Sequence, residues 1–137
     1  MINRKYEDLK IGDSGSLKQT ATDEYVAKMA ELTGDTNPVH LDDEYAKSSF
    51  FGQRIAHGLF CDAMVSTVLG TDMPGGGNIY MEKHIQFRAP IYIGEEIETT
   101  VTITDLADEK RFVSLSFKCE KADGTVAAKG DARVKMP

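Results

Sequence analysis

Residues 58–69 read GLFCDAMVSTVL, a stretch that is apolar around most of a helical circumference. A helix with this pattern is usually buried on nearly all sides, because no side of it is polar enough to favour water. We therefore predict that these residues form the central helix of the domain and that the rest of the chain packs around it.

Four segments after this helix alternate apolar and polar residues with period two, as strands with one buried face do. The predicted inner positions are Ile79, Met81, Ile85 and Phe87; Ile97, Thr99, Val101 and Ile103; Val113, Leu115, Phe117 and Cys119; and Val126, Ala128, Ala132, Val134 and Met136. Lys83 interrupts the first pattern. Short connections, one with the hairpin pair Asp123-Gly124, indicate antiparallel neighbours. With an early strand near residues 15–20, we predict an α+β domain in which a curved antiparallel sheet wraps around one long buried helix.

The chain before the central helix contains one amphipathic helix and one long irregular segment. Residues 22–33, TDEYVAKMAELT, carry apolar residues at helical spacing, with acidic residues at the start and Gly34 as a C-terminal stop. Residues 35–56 follow as an irregular segment with a short helix introduced by Asp42. Long irregular segments in compact domains are often functional, so this is where we look for a site.

Length and charge narrow the functional classes. The 137 residues fit a single domain, 1–137, and the 16 basic against 22 acidic residues give a net charge of −6 without a basic stripe. Nucleic acid and membranes are therefore not expected as partners. The first residues, MINRKYEDLK, lack the apolar segment of a secretory signal, so we expect a cytoplasmic protein. Cys61 and Cys119 are expected to be reduced core thiols.

Residues 34–40 read GDTNPVH and combine turn-forming residues with a histidine that a turn does not require. Asp35 and His40 are close enough in sequence for one loop to aim both side chains at a single water molecule, and Pro38 limits the freedom of that loop. We interpret them as a cooperating acid/base pair, in which the residue that handles each proton is left open.

Several separated motifs carry a resemblance to a known family. They are G-D-x-N-P-x-H at 34–40, A-H-G-L at 56–59, P-G-G-G-N-I-Y at 74–80 and F-R-A-P-I-Y-I-G-E-E at 87–96. In this order they resemble the MaoC-like, R-specific enoyl-CoA hydratases, and the likeness runs over roughly residues 10–136. Each motif alone is weak, but together they are fairly specific.

The resemblance implies a hot-dog fold, a homodimer and a hydro-lyase activity. Such an enzyme adds water to trans-2-enoyl-CoA to give (R)-3-hydroxyacyl-CoA, or runs the reverse dehydration, with the coenzyme A thioester as substrate and neither a cofactor nor a metal. The family's catalytic aspartate and histidine match Asp35 and His40. Its asparagine matches Asn37, and the glycine of its H-G pair matches Gly58.

Four further residues are candidates for the site. Gly58 begins the central helix, where unpaired N–H groups can receive a thioester oxygen. Ser66 lies about two turns further on and matches a helix serine of close relatives, although a buried helix serine more often bonds its own backbone. Asp62 lies between them; it either shortens or polarises the acyl pocket, or pairs with a Lys or Arg in the dimer contact. Arg88 either meets coenzyme A phosphates or is solvated or ion-paired.

Two other functions remain open on sequence grounds. Hot-dog folds also host acyl-CoA thioesterases, for which Asp62 would be the carboxylate, and a non-catalytic acyl-CoA-binding subunit is the third possibility. The presence of both Asp35 and His40 in one loop favours the hydratase. We expect His57 to have a structural hydrogen-bonding role near the helix start and His84 to lie on the polar face of a strand. The glycines at 75–77 predict a loop with unusual φ angles and not a phosphate loop.

Overall fold

The computed structural model describes residues 1–137, which form one five-stranded sheet and four α-helices. In chain order the elements are β1 (Ser14–Thr20), α1 (Asp23–Thr33), α2 (Pro38–Leu41), α3 (Asp43–Ser48), α4 (Leu59–Thr71), β2 (Ile79–Phe87), β3 (Glu96–Ala107), β4 (Phe112–Lys121) and β5 (Val126–Lys135). None of the helices has the length and apolar character that crossing a membrane requires.

The sheet is antiparallel throughout, with the strand order β1-β3-β4-β5-β2. Strands β3, β4 and β5 follow one another as hairpins, while β1 and β2 form the two edges. All four helices lie between these edge strands in the sequence, and α4 packs against β1, β2 and β3. This is the α+β hot-dog architecture predicted from the sequence.

Helix α4 supplies the centre of the hydrophobic core. Its buried residues follow helical spacing and are Phe60, Cys61, Met64, Val65, Val68 and Leu69. All predicted inner positions of the second and third segments are buried in β3 and β4. In the fourth segment Val126 is only partly buried, whereas Ala128, Ala132, Val134 and Met136 are buried. The apolar alternation of these three strands therefore predicted the core correctly.

The prediction that the central helix is buried on nearly all sides is wrong for one side. Leu59, Ser66 and Thr67 are exposed along α4. The physical reason is that one sheet covers only the side of a helix that faces it, and α4 packs against β1, β2 and β3 with its other residues. The apolar composition of the helix does not reveal which side remains open.

The predicted inner face of β2 is wrong for three of its four residues. Ile79, Met81 and Phe87 are 58%, 48% and 57% exposed. A register shift between Tyr80 and Glu82 interrupts the pairing of β2 with β5, and an extra residue in a strand puts the side chains before it and after it out of phase. Before the shift Tyr80 therefore packs against the core, and after it Ile85 does, as predicted. Phe87 is in phase with Ile85, and the shift does not explain its exposure; its ring lies beside Gly58, where it lines a cavity.

The local signals in the helical segment are confirmed. Thr22 accepts the N–H of Tyr25 at 3.0 Å and begins α1, and Asp42 accepts the N–H of Tyr45 at 2.9 Å and begins α3. Both are N-caps, which satisfy backbone donors that the first helical turn leaves unpaired. These two caps therefore determine where α1 and α3 begin.

The glycine-rich loop after α4 packs against the N-terminal residues. A Cβ on Gly75 would collide with the carbonyl oxygen of Ile2, and the N–H of Gly76 donates to that oxygen at 2.9 Å. Gly75 and Gly77 have φ values of 104° and 86°, which glycine adopts without steric strain. The prediction that this loop needs unusual φ angles is confirmed.

The two cysteines are buried and free, and the fold brings them together. The hydrogen bond between Cys61 and Cys119, together with burial, raises the pKa of the Cys61 thiol. The hydroxyl of Thr99 donates to Cys119 Sγ at 3.2 Å. These thiols belong to the core, as the sequence predicted.

Candidate active site

The loop between α1 and α2 holds Asp35 through a chain of short-range contacts. Gly34 ends α1 at a φ of 79°, a left-handed conformation that suits glycine. Asp35 Oδ1 accepts the N–H of Asn37 at 3.2 Å, and Asn37 Oδ1 accepts the N–H of Val39 at 3.3 Å. Asn37 thereby caps α2, in which Pro38 occupies the first position. Each turn-forming residue of this loop thus has a specific structural task.

His40 is buried on α2, and its protonation state follows from its contacts. Its Nδ1 lies 2.8 Å from the carbonyl oxygen of Ile55. Because a carbonyl oxygen only accepts hydrogen bonds, Nδ1 carries the proton and Nε2 has a free lone pair. Burial lowers the pKa of His40 below its usual value, and the neighbouring His57 lowers it further against the opposing effects of Ile55 and Asp35. His40 is therefore neutral at pH 7.

Asp35 and His40 face each other, as their spacing predicted. His40 Nε2 lies 4.0 Å from Asp35 Oδ2, and the Asp35 side chain is 51% exposed, whereas that of His40 is 9% exposed. This distance exceeds a hydrogen bond, and a neutral imidazole does not form an ion pair. The two atoms are spaced so that one small molecule can contact both of them.

His57 lies at the same place and supports the pair. Its Nε2 donates to the backbone carbonyl of Asp35 at 3.0 Å, and its ring stacks on His40 with centroids 3.9 Å apart. The predicted hydrogen bond of His57 near the helix start is present, and its Nε2 also lies 4.0 Å from Asp35 Oδ2. The sequence did not reveal its contact with Asp35, because the two residues meet only through the fold.

Asp35, His40 and His57 have potential metal-ligating atoms within 4.8 Å of one another. One of these atoms is already engaged, however, since Nε2 of His57 donates to the Asp35 carbonyl, which leaves the Asp35 carboxylate and Nε2 of His40. Metal binding requires neutral imidazole nitrogens with free lone pairs. The hydrogen-bond pattern therefore favours proton transfer at this cluster over metal coordination.

The first turn of α4 presents a free backbone donor next to the cluster. Gly58 immediately follows His57 and is the N-cap of α4. Its N–H and that of Leu59 have no acceptor within the chain, as expected of the first N–H groups of a helix. These donors, at the positive end of the helix dipole, suit an oxygen that becomes negative.

An apolar cavity of about 300 Å³ opens beside Gly58. Phe51, Phe87 and Arg88 lie towards its exposed side, whereas Cys61 and Ala127 are among the buried residues that line it. The guanidinium of Arg88 has one long contact, 3.4 Å from Arg88 Nη1 to Gln86 Oε1, so it is largely free to meet an anion.

Two predicted site residues lie further along α4. Ser66 is exposed, and its hydroxyl has no partner within the chain; Thr67, its neighbour, bonds the Ala63 carbonyl at 2.8 Å instead. Asp62 contacts the ammonium of Lys83. The predicted partnership of Asp62 with a basic residue therefore exists, but the partner is in the same chain. His84 is exposed on β2, as predicted.

The side chain of Arg54 links the helices around the site, a role that the sequence did not reveal. Arg54 Nε donates to Asp43 at 2.7 Å, its Nη1 donates to the His40 carbonyl at 3.3 Å, and its Nη2 contacts Asp23. One side chain thus joins α1, α2 and α3. Arg54 has no motif of its own, so only its many polar partners distinguish it from an ordinary surface arginine.

Comparison with known proteins agrees with this geometry. Residues 12–122 match the family model described as MaoC like domain. The chain belongs to the MaoC-like family. The MaoC-like chain is 41% identical over 137 residues to an (R)-specific enoyl-CoA hydratase of Rhodospirillum rubrum, covering 100% of this chain and 94% of that protein. It is also 41% identical over 132 residues to a 3-hydroxybutyryl-CoA dehydratase of Methylorubrum extorquens, covering 96% and 83%.

Solved structures carry the same fold. The MaoC-like chain superposes on an (R)-hydratase of Aeromonas caviae with a TM-score of 0.92 and 32% identity, covering 96% of this chain and 99% of that one. An unliganded R-hydratase of Pseudomonas aeruginosa gives a TM-score of 0.94 with 28% identity, covering 98% and 86%. The relatives therefore match nearly the whole domain and not an isolated motif.

Proposed function

We propose that this protein is an R-specific enoyl-CoA hydratase, which adds water to trans-2-enoyl-CoA or removes it from (R)-3-hydroxyacyl-CoA. The observation that carries the proposal is the pairing of the Asp35 carboxylate with the neutral Nε2 of His40, 4.0 Å apart, beside the start of α4. The names of the relatives, hydratases with R specificity and a 3-hydroxybutyryl-CoA dehydratase, support the substrate class and the hand of the product.

Hydration of an enoyl thioester requires a general base, a general acid and a hydrogen-bond donor that stabilises the negative charge on the thioester oxygen. Asp35 and His40 together bind one water and remove its proton as its oxygen forms a bond to Cβ. The electrons of the double bond move to the thioester oxygen, which the N–H of Gly58 stabilises. A proton then returns from the pair to Cα, and the pair regains its starting state. The reaction involves no oxidation or reduction, so it requires no redox cofactor.

Neighbouring residues support this reaction by binding and positioning. Asn37 caps α2 and thereby holds both ends of the catalytic loop, while the exposed hydroxyl of Ser66 is available to orient groups further along the helix. The free guanidinium of Arg88 at the cavity suits the phosphates of coenzyme A. These assignments make the cavity beside Gly58 the path of the coenzyme arm.

The protein is proposed to act as a homodimer. The β2 edge exposes Ile79, Met81 and Phe87, and Leu59 is exposed on α4 directly after Gly58, which lies beside the Phe87 ring. An apolar strand edge in water tends to pair with another chain. A second copy of the same surface is its natural cover, because most soluble oligomers are symmetric homodimers.

The proposed function is tested with the purified protein and crotonyl-CoA. Loss of absorbance of the conjugated double bond, with an (R)-alcohol on chiral chromatography, is the expected result. Release of free coenzyme A would indicate a thioesterase, and absence of turnover with crotonyl-CoA and longer enoyl-CoAs would indicate a binding subunit. Size-exclusion chromatography with light scattering of the same preparation is expected to give twice the mass of the chain.

The pH dependence of the reaction is expected to reflect His40. Because the pKa of His40 is lowered by burial, the base stays neutral to a lower pH than an ordinary histidine, whose pKa is about 6.5. Hydration measured as kcat/KM should therefore lose activity on the acid side with a midpoint below about pH 6.5. A midpoint clearly above this value would contradict a buried, neutral His40.

Substitution of Gly58 is expected to impair the oxyanion donor. The Cβ of Gly58→Ala would lie 3.1 Å from the ring of Phe87, so the start of α4 or the ring must move. Small displacements of catalytic groups cost up to about 10²-fold, and we expect kcat to fall by about 10-fold to 100-fold. Gly70→Ala, in the same helix but with no atom near its new Cβ, is the matched control and should retain full activity.

A further inference from the structure

An ion pair joins α4 to β2. Asp62 of α4 contacts Lys83 of β2, and the two side chains are only 21% and 30% exposed. Lys83 belongs to the part of β2 that follows the bulge between Tyr80 and Glu82. A lysine directed at the helix side of a sheet is unusual, because burying a charge is costly unless it is paired. Asp62 supplies that pairing.

The position of the pair relative to the proposed reaction centre follows from helix geometry. Gly58, Asp62 and Ser66 recur at every fourth residue of α4 and its N-cap, so they lie along one side of the helix. Each step along the axis is about 6 Å. An acyl chain that starts with its carbonyl at Gly58 and runs along this side would reach Asp62 after roughly four or five carbons.

The acyl chain and the coenzyme A part of a thioester, here called the acyl arm and the coenzyme arm, must leave the reaction centre in different directions. The cavity of about 300 Å³ beside Gly58, with Arg88 on its exposed side, takes the coenzyme arm, because its pyrophosphate needs a cation and access to solvent. The acyl arm is left with the open side of α4, towards Asp62 and Ser66.

We propose that the Asp62–Lys83 pair limits the acyl group to short chains of about four carbons. The inference rests on the proposed hydratase function. Each methylene buried against an apolar wall improves binding by about fourfold. An acyl chain of more than about four carbons gains no such binding energy here, because its extra methylenes would have to displace water from two charged side chains. The pair thus places two charged groups at the distal end of the proposed acyl path along α4.

The test compares kcat/KM for enoyl-CoAs of four, six and eight carbons. The wild-type protein is expected to prefer the four-carbon over the eight-carbon substrate by at least about tenfold. The double variant Asp62→Leu/Lys83→Met makes the wall apolar at similar volume, and we expect it to raise the ratio of eight-carbon to four-carbon kcat/KM by at least about tenfold. Lys118→Met/Glu120→Gln removes an ion pair elsewhere on the sheet and should leave the ratio unchanged.

A second variant keeps the test informative if the apolar one folds poorly. Asp62→Lys/Lys83→Asp retains a charged pair between α4 and β2 and should therefore retain the preference for four carbons. The proposal is overturned by a wild-type preference for eight carbons, by an unchanged ratio in a folded apolar variant, or by a relaxed preference in the charge-swapped variant. Absence of hydration with every chain length would instead overturn the proposed function itself.

Discussion

Asp35→Asn is expected to reduce kcat for hydration of crotonyl-CoA by about 10³-fold, the middle of the range for loss of a general acid or base. The amide keeps an oxygen that can still accept the Asn37 N–H, which lies 3.2 Å from Oδ1 in the wild type. The backbone carbonyl of residue 35 remains available to His57. The substitution therefore removes the charge and basicity of the carboxylate while preserving the loop.

The control for Asp35→Asn is Glu44→Gln, which neutralises an exposed carboxylate of α3 in the same segment. We expect this control to have wild-type kcat, and both variants to have a thermal midpoint close to that of the wild type. Because Asp35 is half exposed, neutralising it costs little stability. If the Asp35→Asn variant retained more than about a tenth of wild-type kcat, a role of Asp35 in proton transfer would be untenable.

His40→Asn is expected to lower kcat by about 10²-fold to 10⁴-fold. The side-chain nitrogen of asparagine can occupy the position of His40 Nδ1 and keep the bond to the Ile55 carbonyl, which is 2.8 Å long in the wild type. Nothing replaces the lone pair of Nε2, so the base is lost. The thermal midpoint should fall modestly, because part of the buried ring is lost.

His84→Asn is the matched control, since His84 is exposed on β2, and it should retain full activity. Combining Asp35→Asn with His40→Asn should lower kcat hardly more than the more severe single variant, because two groups that act on one water fail together. Fully additive losses would show that the two residues serve independent steps.

The catalytic loop illustrates what short-range sequence information can predict. Asp35 and His40 are separated by one turn of chain, so their proximity follows from the turn residues between them. The contact between His57 and the Asp35 carbonyl could not be predicted in the same way. It depends on how α4 lies relative to the loop, which the intervening irregular segment does not encode locally.

Strand β2 illustrates the opposite case. Its alternation predicted Ile79 and Met81 as inner residues, yet both are exposed, because the bulge between Tyr80 and Glu82 puts the start of the strand out of phase with its end. A bulge leaves almost no trace in an apolar pattern, because it is a property of the pairing of two strands. Beyond the bulge Lys83 meets Asp62, whereas the sequence had indicated a basic partner for Asp62 only in the dimer contact.

The sequence by itself determined helices α1, α3 and α4, the inner faces of β3 and β4, and the candidate pair Asp35 and His40, but not helix α2 within the segment predicted to be irregular. These features depend on periodicity and on contacts between near neighbours in the chain. Only the tertiary structure decided the tautomer of His40, the open side of α4 and the partner of Asp62. Each of these depends on the position of a helix relative to a segment remote in sequence, and long-range packing determines such positions.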